Sequence, residues 1–155
     1  LILVECNPDE FFLTRLGFSK KNVRHVVGKG NVVKKLNRER NLIGLIDEDP
    51  GSAQPKELLS DYAPVEEKDS IKLLENKDHG KKIIQLSPDL EGWIIKRAHF
   101  NNIKMKDHGL PDDRKELHNI IHIEEKANFK SFVDRLVEID EQVSLICRWI
   151  KEELG

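Results

Sequence analysis

Cysteine is scarce: only Cys6 and Cys147 occur among 155 residues. They stand far apart and at no metal-type spacing, so the expectation is reduced thiols in a cytosol rather than a disulfide framework. Long hydrophobic runs are also missing. Leu1–Val4 and Leu42–Ile46 span only a few residues, far short of the roughly 20 needed to cross a bilayer, so no membrane segment is expected. Leu1–Val4 lacks a basic leader and a small-residue cleavage site, which argues against a secretory signal. Because the chain starts at Leu1 rather than Met, an initiator or short leader is expected to have been trimmed. A nucleotide-binding Gly-x4-Gly-Lys-Ser/Thr run is absent, and ATP hydrolysis is not expected. Ser19, Ser52 and Ser87 have no Gly-x-Ser-x-Gly surroundings, which disfavours a serine hydrolase. His118 and His122 are spaced i, i+4, but Asn119 stands where a zinc-protease motif needs Glu, so they read as a surface pair. There is no internal repeat or low-complexity stretch. The length suits one domain, since domains run to about 100–200 residues.

Net charge is small, −2, which disfavours a protein that coats nucleic acid by bulk electrostatics. The average conceals segregation. Between Arg15 and Arg40 the basic residues are opposed only by Glu39, and between Asp47 and Asp69 the acids are opposed only by Lys56 and Lys68. A basic surface beside an acidic cluster suits metal-dependent phosphate chemistry; two solvated faces of opposite sign are the plainer alternative.

The first fifty residues predict βαβαβ. Leu1–Val4 is a continuous apolar run of the kind found in parallel strands buried on both faces. Asn7-Pro8-Asp9-Glu10 has the residues that open a helix. Val23–Val27 predicts a second strand, Gly28-Lys29-Gly30 a turn, Asn31–Arg40 a helix, and Asn41–Ile46 a third strand running into Asp47-Glu48-Asp49. Gly51–Asp69 is polar, contains Pro55 and Pro64, and reads as an irregular loop. Ile71–Leu74 and Lys82–Leu86 read as strands around a hairpin-like turn. Ser87-Pro88-Asp89 opens a helix carrying Leu90, Trp93, Ile94, Ile95 and Ala98. Helices are expected over Arg114–His122, Asn128–Val137 and Glu141–Leu154. The fold class is therefore α/β: a mostly parallel, Rossmann-like sheet flanked by helices, with a helical C-terminal tail. One domain is expected over 1–155, its sheet core at about 1–100 and the helical extension at about 101–155.

In such sheets the working residues collect at the carboxyl ends of the strands. Those ends carry Glu5, Lys29, Asp47 and Asp49. Alternation along a strand would send Asp47 and Asp49 to one side and Glu48 to the other. Oxygen ligands of this kind suit Mg²⁺ or Mn²⁺, and without a cation three close carboxylates repel and raise one another's pKa.

Val4-Glu5 closing an apolar strand, followed by a helix, a strand and then Ile46-Asp47-Glu48-Asp49 closing a third, resembles the Toprim domain of topoisomerases, primases and small nucleases, including the overcoming-lysogenization-defect nucleases. The match covers about the first half of the chain, and Cys6 stands where family members usually have Gly. The resemblance implies a small Toprim-like nuclease in the cytoplasm, with Mg²⁺ or Mn²⁺ as cofactor and DNA or RNA as partner. By that likeness Glu5 acts as general acid/base or metal ligand, and Asp47 and Asp49 coordinate the ion. Glu91, in a Leu-Glu pair opening a later helix, is a further metal candidate, or an acid that complements the helix dipole. Lys29, Lys34 and Lys35 are candidates to hold a nucleic-acid backbone, with a plain turn as the alternative for Gly28-Lys29-Gly30. The rival function is an inactive Toprim-like binding or regulatory module, its C-terminal helices meeting a protein partner or a second copy. A receiver-like phosphoacceptor sheet is a third and looser match.

Overall fold

Apolar runs too short to make helices become the middle of a sheet. In the computed structural model, which describes residues 1–155, β1 (Ile2–Val4) lies beside β3 (Ile43–Asp47) in the interior of a six-stranded sheet. All of β1 and the first four residues of β3 are buried, as expected of strands covered on both faces. The flanking strands are β2 (Val23–His25), β4 (Tyr62–Lys68), β5 (Ile71–Asn76) and β6 (Lys82–Leu86), in the order β2-β1-β3-β6-β5-β4. The pairings β2–β1, β1–β3 and β3–β6 are parallel; β6–β5 and β5–β4 are antiparallel. The α/β class and the mostly parallel, helix-flanked sheet expected from the sequence are therefore present.

Strand alternation divides the apolar side chains between two cores. Ile2, Val4, Ile43, Leu45, Ile84 and Leu86 face a core of 29 buried residues. That core also holds α1 (Asn7–Arg15), α4 (Leu90–Phe100), α5 (Arg114–His118), α6 (Ala127–Ile139) and α7 (Glu141–Leu154). Leu3, Ile46, Leu74 and Ile83 face a smaller core of 10 residues under α2 (Lys29–Arg38) and α3 (Lys56–Asp61). On that side Gly44 lets α2 approach closely: a Cβ there would lie 3.0 Å from Leu36 Cδ1 and 3.2 Å from Val32 Cγ1.

The C-terminal helices bury their apolar stripes, Phe129, Phe132, Val133 and Leu136 on α6 and Val143, Ile146, Trp149 and Ile150 on α7, in the larger core. A polar network fastens them. Arg97 Nε donates to Asp140 Oδ1 at 2.8 Å, and Trp93 Nε1 donates to Gln142 Oε1 at 2.8 Å. Gln142 Nε2 then reaches the Lys68 carbonyl at 3.2 Å, tying α7 to the end of β4. No helix is long and apolar enough to cross a membrane.

Three local expectations are corrected. Gly51–Asp69 is not one irregular loop, since α3 and β4 lie within it. β4 escapes a period-two reading because it is a sheet edge, exposed from Pro64 to Lys68 and irregular in register between Pro64 and Glu66. Charge, proline and irregularity are the usual devices that keep an edge from pairing further. The helix expected over Arg114–His122 stops at His118, and His122 takes a left-handed φ of 51°. Finally, Lys29 is not in a turn: Gly28, at φ 86°, precedes α2 and Lys29 is its first residue.

Candidate functional site

The carboxyl edge of the parallel strands gathers acids from four elements. Glu5 is the first residue past β1 and Asp47 the last of β3. Glu5 Oε1 accepts the Asp47 amide at 3.2 Å, linking the two strand ends. Asp47 Oδ1 accepts the Leu90 amide at 2.9 Å, so it sits against the N-terminus of α4, with Glu91 in that helix's first turn. Asp9, in the first turn of α1, is 2% exposed. Its Oδ2 accepts the Cys6 amide at 3.2 Å and the Cys6 thiol at 3.1 Å, while its Oδ1 is buried and has no hydrogen-bond partner.

Burial and mutual repulsion dominate the electrostatics. Asp47 is pushed up to about 9, first by desolvation and then by the charges of Asp9, Glu91, Asp49 and Glu5. Asp9 is pushed up to about 7, chiefly by desolvation, with Glu5 and Glu91 adding to the rise and the Cys6 bonds opposing it. Glu5 is raised by burial, moderated by the Asp47 amide and by Lys29. Burial and then Asp9 raise the Cys6 thiol, so it is no nucleophile at neutral pH. A site in which several carboxylates hold protons against their neighbours is one that a cation would relieve.

Other sequence candidates fall in different places. Strand alternation does not carry through to Asp49: β3 ends at Asp47, and Asp49 takes a φ of 47°. Its Oδ2 lies 3.5 Å from Lys29 Nζ. Lys29, 9% exposed, donates to the Glu48 carbonyl at 2.8 Å and to Gln54 Oε1 at 3.2 Å, so its ammonium is engaged inside the fold. Lys35 pairs with Glu39 at 2.5 Å, and Lys34 is exposed on α2. Glu5 and Asp47 are joined directly, whereas Asp49 is held by Lys29, its charge still felt by both of the others. One trio of side chains, His122, Glu124 and Glu125, brings its ligand atoms within 4.8 Å of one another; Glu5, Asp47 and Asp49 are not drawn together so closely.

Sequence reasoning passed over three residues at this edge. Asp9 reads as a helix-dipole acid, yet it stands three residues after the N-cap Cys6 and turns back onto its amide, the geometry of a capping box. That spacing was the available signal for an inward carboxylate. Arg114 pairs with Asp89, which caps α4 by accepting the Gly92 amide at 2.8 Å. His118 Nδ1 lies 3.1 Å from Glu91 Oε1, and both line a cleft of about 280 Å³ with His122 and Glu124. No periodicity marks such a meeting of α4 with the end of α5.

Comparison with protein-family models, with curated proteins and with solved structures gives no match for this chain.

Proposed function

We propose that the protein performs divalent-metal-dependent phosphodiester chemistry on nucleic acid, as a small Toprim-like nuclease using Mg²⁺ or Mn²⁺. The observation that carries this reading is Asp9 Oδ1, a buried carboxylate oxygen with no donor whose neighbours Glu5, Asp47 and Glu91 are all acids. An oxygen so placed is costly in an apo protein and satisfied by a cation. The donor set is all oxygen, which suits Mg²⁺ or Mn²⁺. Glu5, Asp9, Asp47 and Glu91 would hold the ion, and Asp49 would join them on leaving Lys29. When bound, such an ion lowers the pKa of its water and offsets charge on a phosphate.

The chain's own residues supply the rest. Lys29 fixes the loop after β3 through the Glu48 carbonyl and Gln54, and so acts as a positioning residue. Lys34, exposed on α2, and Arg114, which pairs with Asp89 at the start of α4, would attract a phosphate backbone.

A second reading, a sheet of the same family that binds without chemistry, is favoured by one observation: Glu5, Asp47 and Asp49 each already have a partner inside the protein. Titration with Mn²⁺ and Mg²⁺ separates the two, with melting temperature and cleavage of labelled DNA and RNA as readouts. The nuclease reading expects a metal-dependent rise in Tm and cleavage that Asp47→Asn and Glu5→Gln abolish. Equal cleavage by wild type and variants removes it, and an unmoved Tm without cleavage leaves the binding module.

A further inference from the structure

We infer that the cleft on the opposite face of β3 from Asp47 is a pocket for the Watson–Crick edge of an unpaired guanine, which would select the substrate of the proposed phosphodiester centre. It builds on that reading only for its purpose; the binding it describes needs no metal. Asp47 and Glu48 are consecutive, so they leave the end of β3 on opposite faces. Asp47 turns to the acids, whereas Glu48 lines a cleft of about 330 Å³ closed by Leu58, Tyr62, Leu74 and Gln85. That volume lies at the small end of ligand sites, roughly 300–1,000 Å³, and suits a single base.

The walls are apolar and the polar groups few. Tyr62 contributes its ring, because its hydroxyl is already bonded to Asn37 Oδ1 at 3.0 Å. Gln54, at the rim, has its amide occupied: it donates to the Glu48 carbonyl at 2.8 Å and accepts from Lys29 at 3.2 Å. Two side chains remain unengaged. Gln85 stands across from Ile46 in the β3–β6 register, is 8% exposed, and its amide has no partner in the protein. The Glu48 carboxylate likewise has none, although Lys29 and Gln54 hold its backbone carbonyl in place.

The Gln85 amide is not sealed from water, so it opens into the cleft that Gln85 lines and is free to bond a ligand. A carboxylate and an amide donor lining one cleft with apolar walls are complementary to one base above the rest. Guanine alone among the four common bases presents two adjacent N–H donors, N1–H and the 2-amino group, with the O6 acceptor next to them. The carboxylate of Glu48 accepts both donors and the Gln85 amide donates to O6. Adenine and cytosine offer one amino group on this edge, and uracil a single N–H between two carbonyls.

The test is titration of the whole chain in EDTA with GMP, IMP, AMP, CMP and UMP, and with short single strands carrying one guanine or an adenine in its place. GMP is expected to bind at least about tenfold more tightly than AMP, CMP or UMP, with IMP, which lacks the 2-amino group, between. Glu48→Gln and Gln85→Leu should erase the preference. If Gln85→Leu does not fold, Glu48→Gln carries the test, since that side chain has no partner inside the protein. Preference among free nucleotides as well as strands assigns the pocket to the base alone, and preference only within strands assigns it to guanine in a chain. Equal affinity for all bases in both arms, or a guanine preference that survives Glu48→Gln, overturns the inference. Guanine selection without metal-dependent cleavage upholds this pocket while removing the nuclease reading, and cleavage without guanine selection does the reverse.

Discussion

Replacing Asp9 by Asn tests the electrostatics of the acid edge with one atom. The ordinary carboxyl pKa is about 3.9, and burial among acids pushes Asp9 up to about 7. Each unit is worth about 1.4 kcal/mol, so ionising Asp9 costs the fold up to about 4 kcal/mol once the pH passes 7. The sign follows from proton binding. The folded state holds this proton more tightly than the unfolded state, so the stability it confers is complete below about pH 4 and is lost as pH rises through about 7. Asparagine keeps an oxygen for the Cys6 amide and thiol and offers neighbouring carboxylates a donor in place of a charge. Without metal at pH 8, Asp9→Asn should therefore be more stable by up to about 4 kcal/mol. That corresponds to a Tm higher by roughly 8–16 °C, at about 2–4 °C per kcal/mol for a chain of this size. At pH 4 the two should melt together. Thermal melts in EDTA from pH 4 to 9, repeated with Mn²⁺, read both arms; the metal should raise the wild-type Tm and move the variant less. A variant less stable than wild type at pH 8, or a difference independent of pH, would refute the charge reasoning. Equal gains from Mn²⁺ would remove Asp9 from the ligand set.

Two further substitutions probe the supports of the site. Lys29→Met removes the donor to the Glu48 carbonyl and Gln54 and the countercharge of Asp49. It should cost about 1–3 kcal/mol in urea unfolding and speed amide exchange in residues 48–54, and unchanged exchange there would show that the loop holds itself. Arg97→Met leaves Asp140, 1% exposed, as a buried charge without its partner. A loss of about 3–5 kcal/mol is expected, and a neutral result would mean that the remaining donors suffice for it: Asn101 Nδ2, 2.7 Å from Asp140 Oδ1, and the α7 amides at Gln142 and Val143, both 3.0 Å from Asp140 Oδ2.

The parts of the fold legible in the sequence are those where one physical signal dominates. β1 and β3 are continuous apolar runs because both their faces are covered, and the stripes of α6 and α7 have a helical period because each faces one core. β4 carries no such signal, since its sequence is shaped by the need not to pair. α3 is six residues long and buries only Leu58, too little for a period to register. At the site, strand-end placement made Glu5 and Asp47 visible. The alternation expected at Asp49 fails because it assumes extended backbone, and a left-handed residue breaks it. Asp9 shows itself only through its capping-box spacing from Cys6, and His118 depends on how helices dock, which local sequence does not encode.

The unequal thickness of the two cores sets how the molecule can change. Asp9 and Glu91 stand on helices anchored in the larger core, and Asp47 turns toward that side, so these acids rest on the more heavily packed half of the protein. Glu48 and Gln85 look toward the smaller core of 10 residues, where a short helix and an exposed edge strand form the wall. Substitutions along α3 can therefore reshape that wall without touching the acids on the other face.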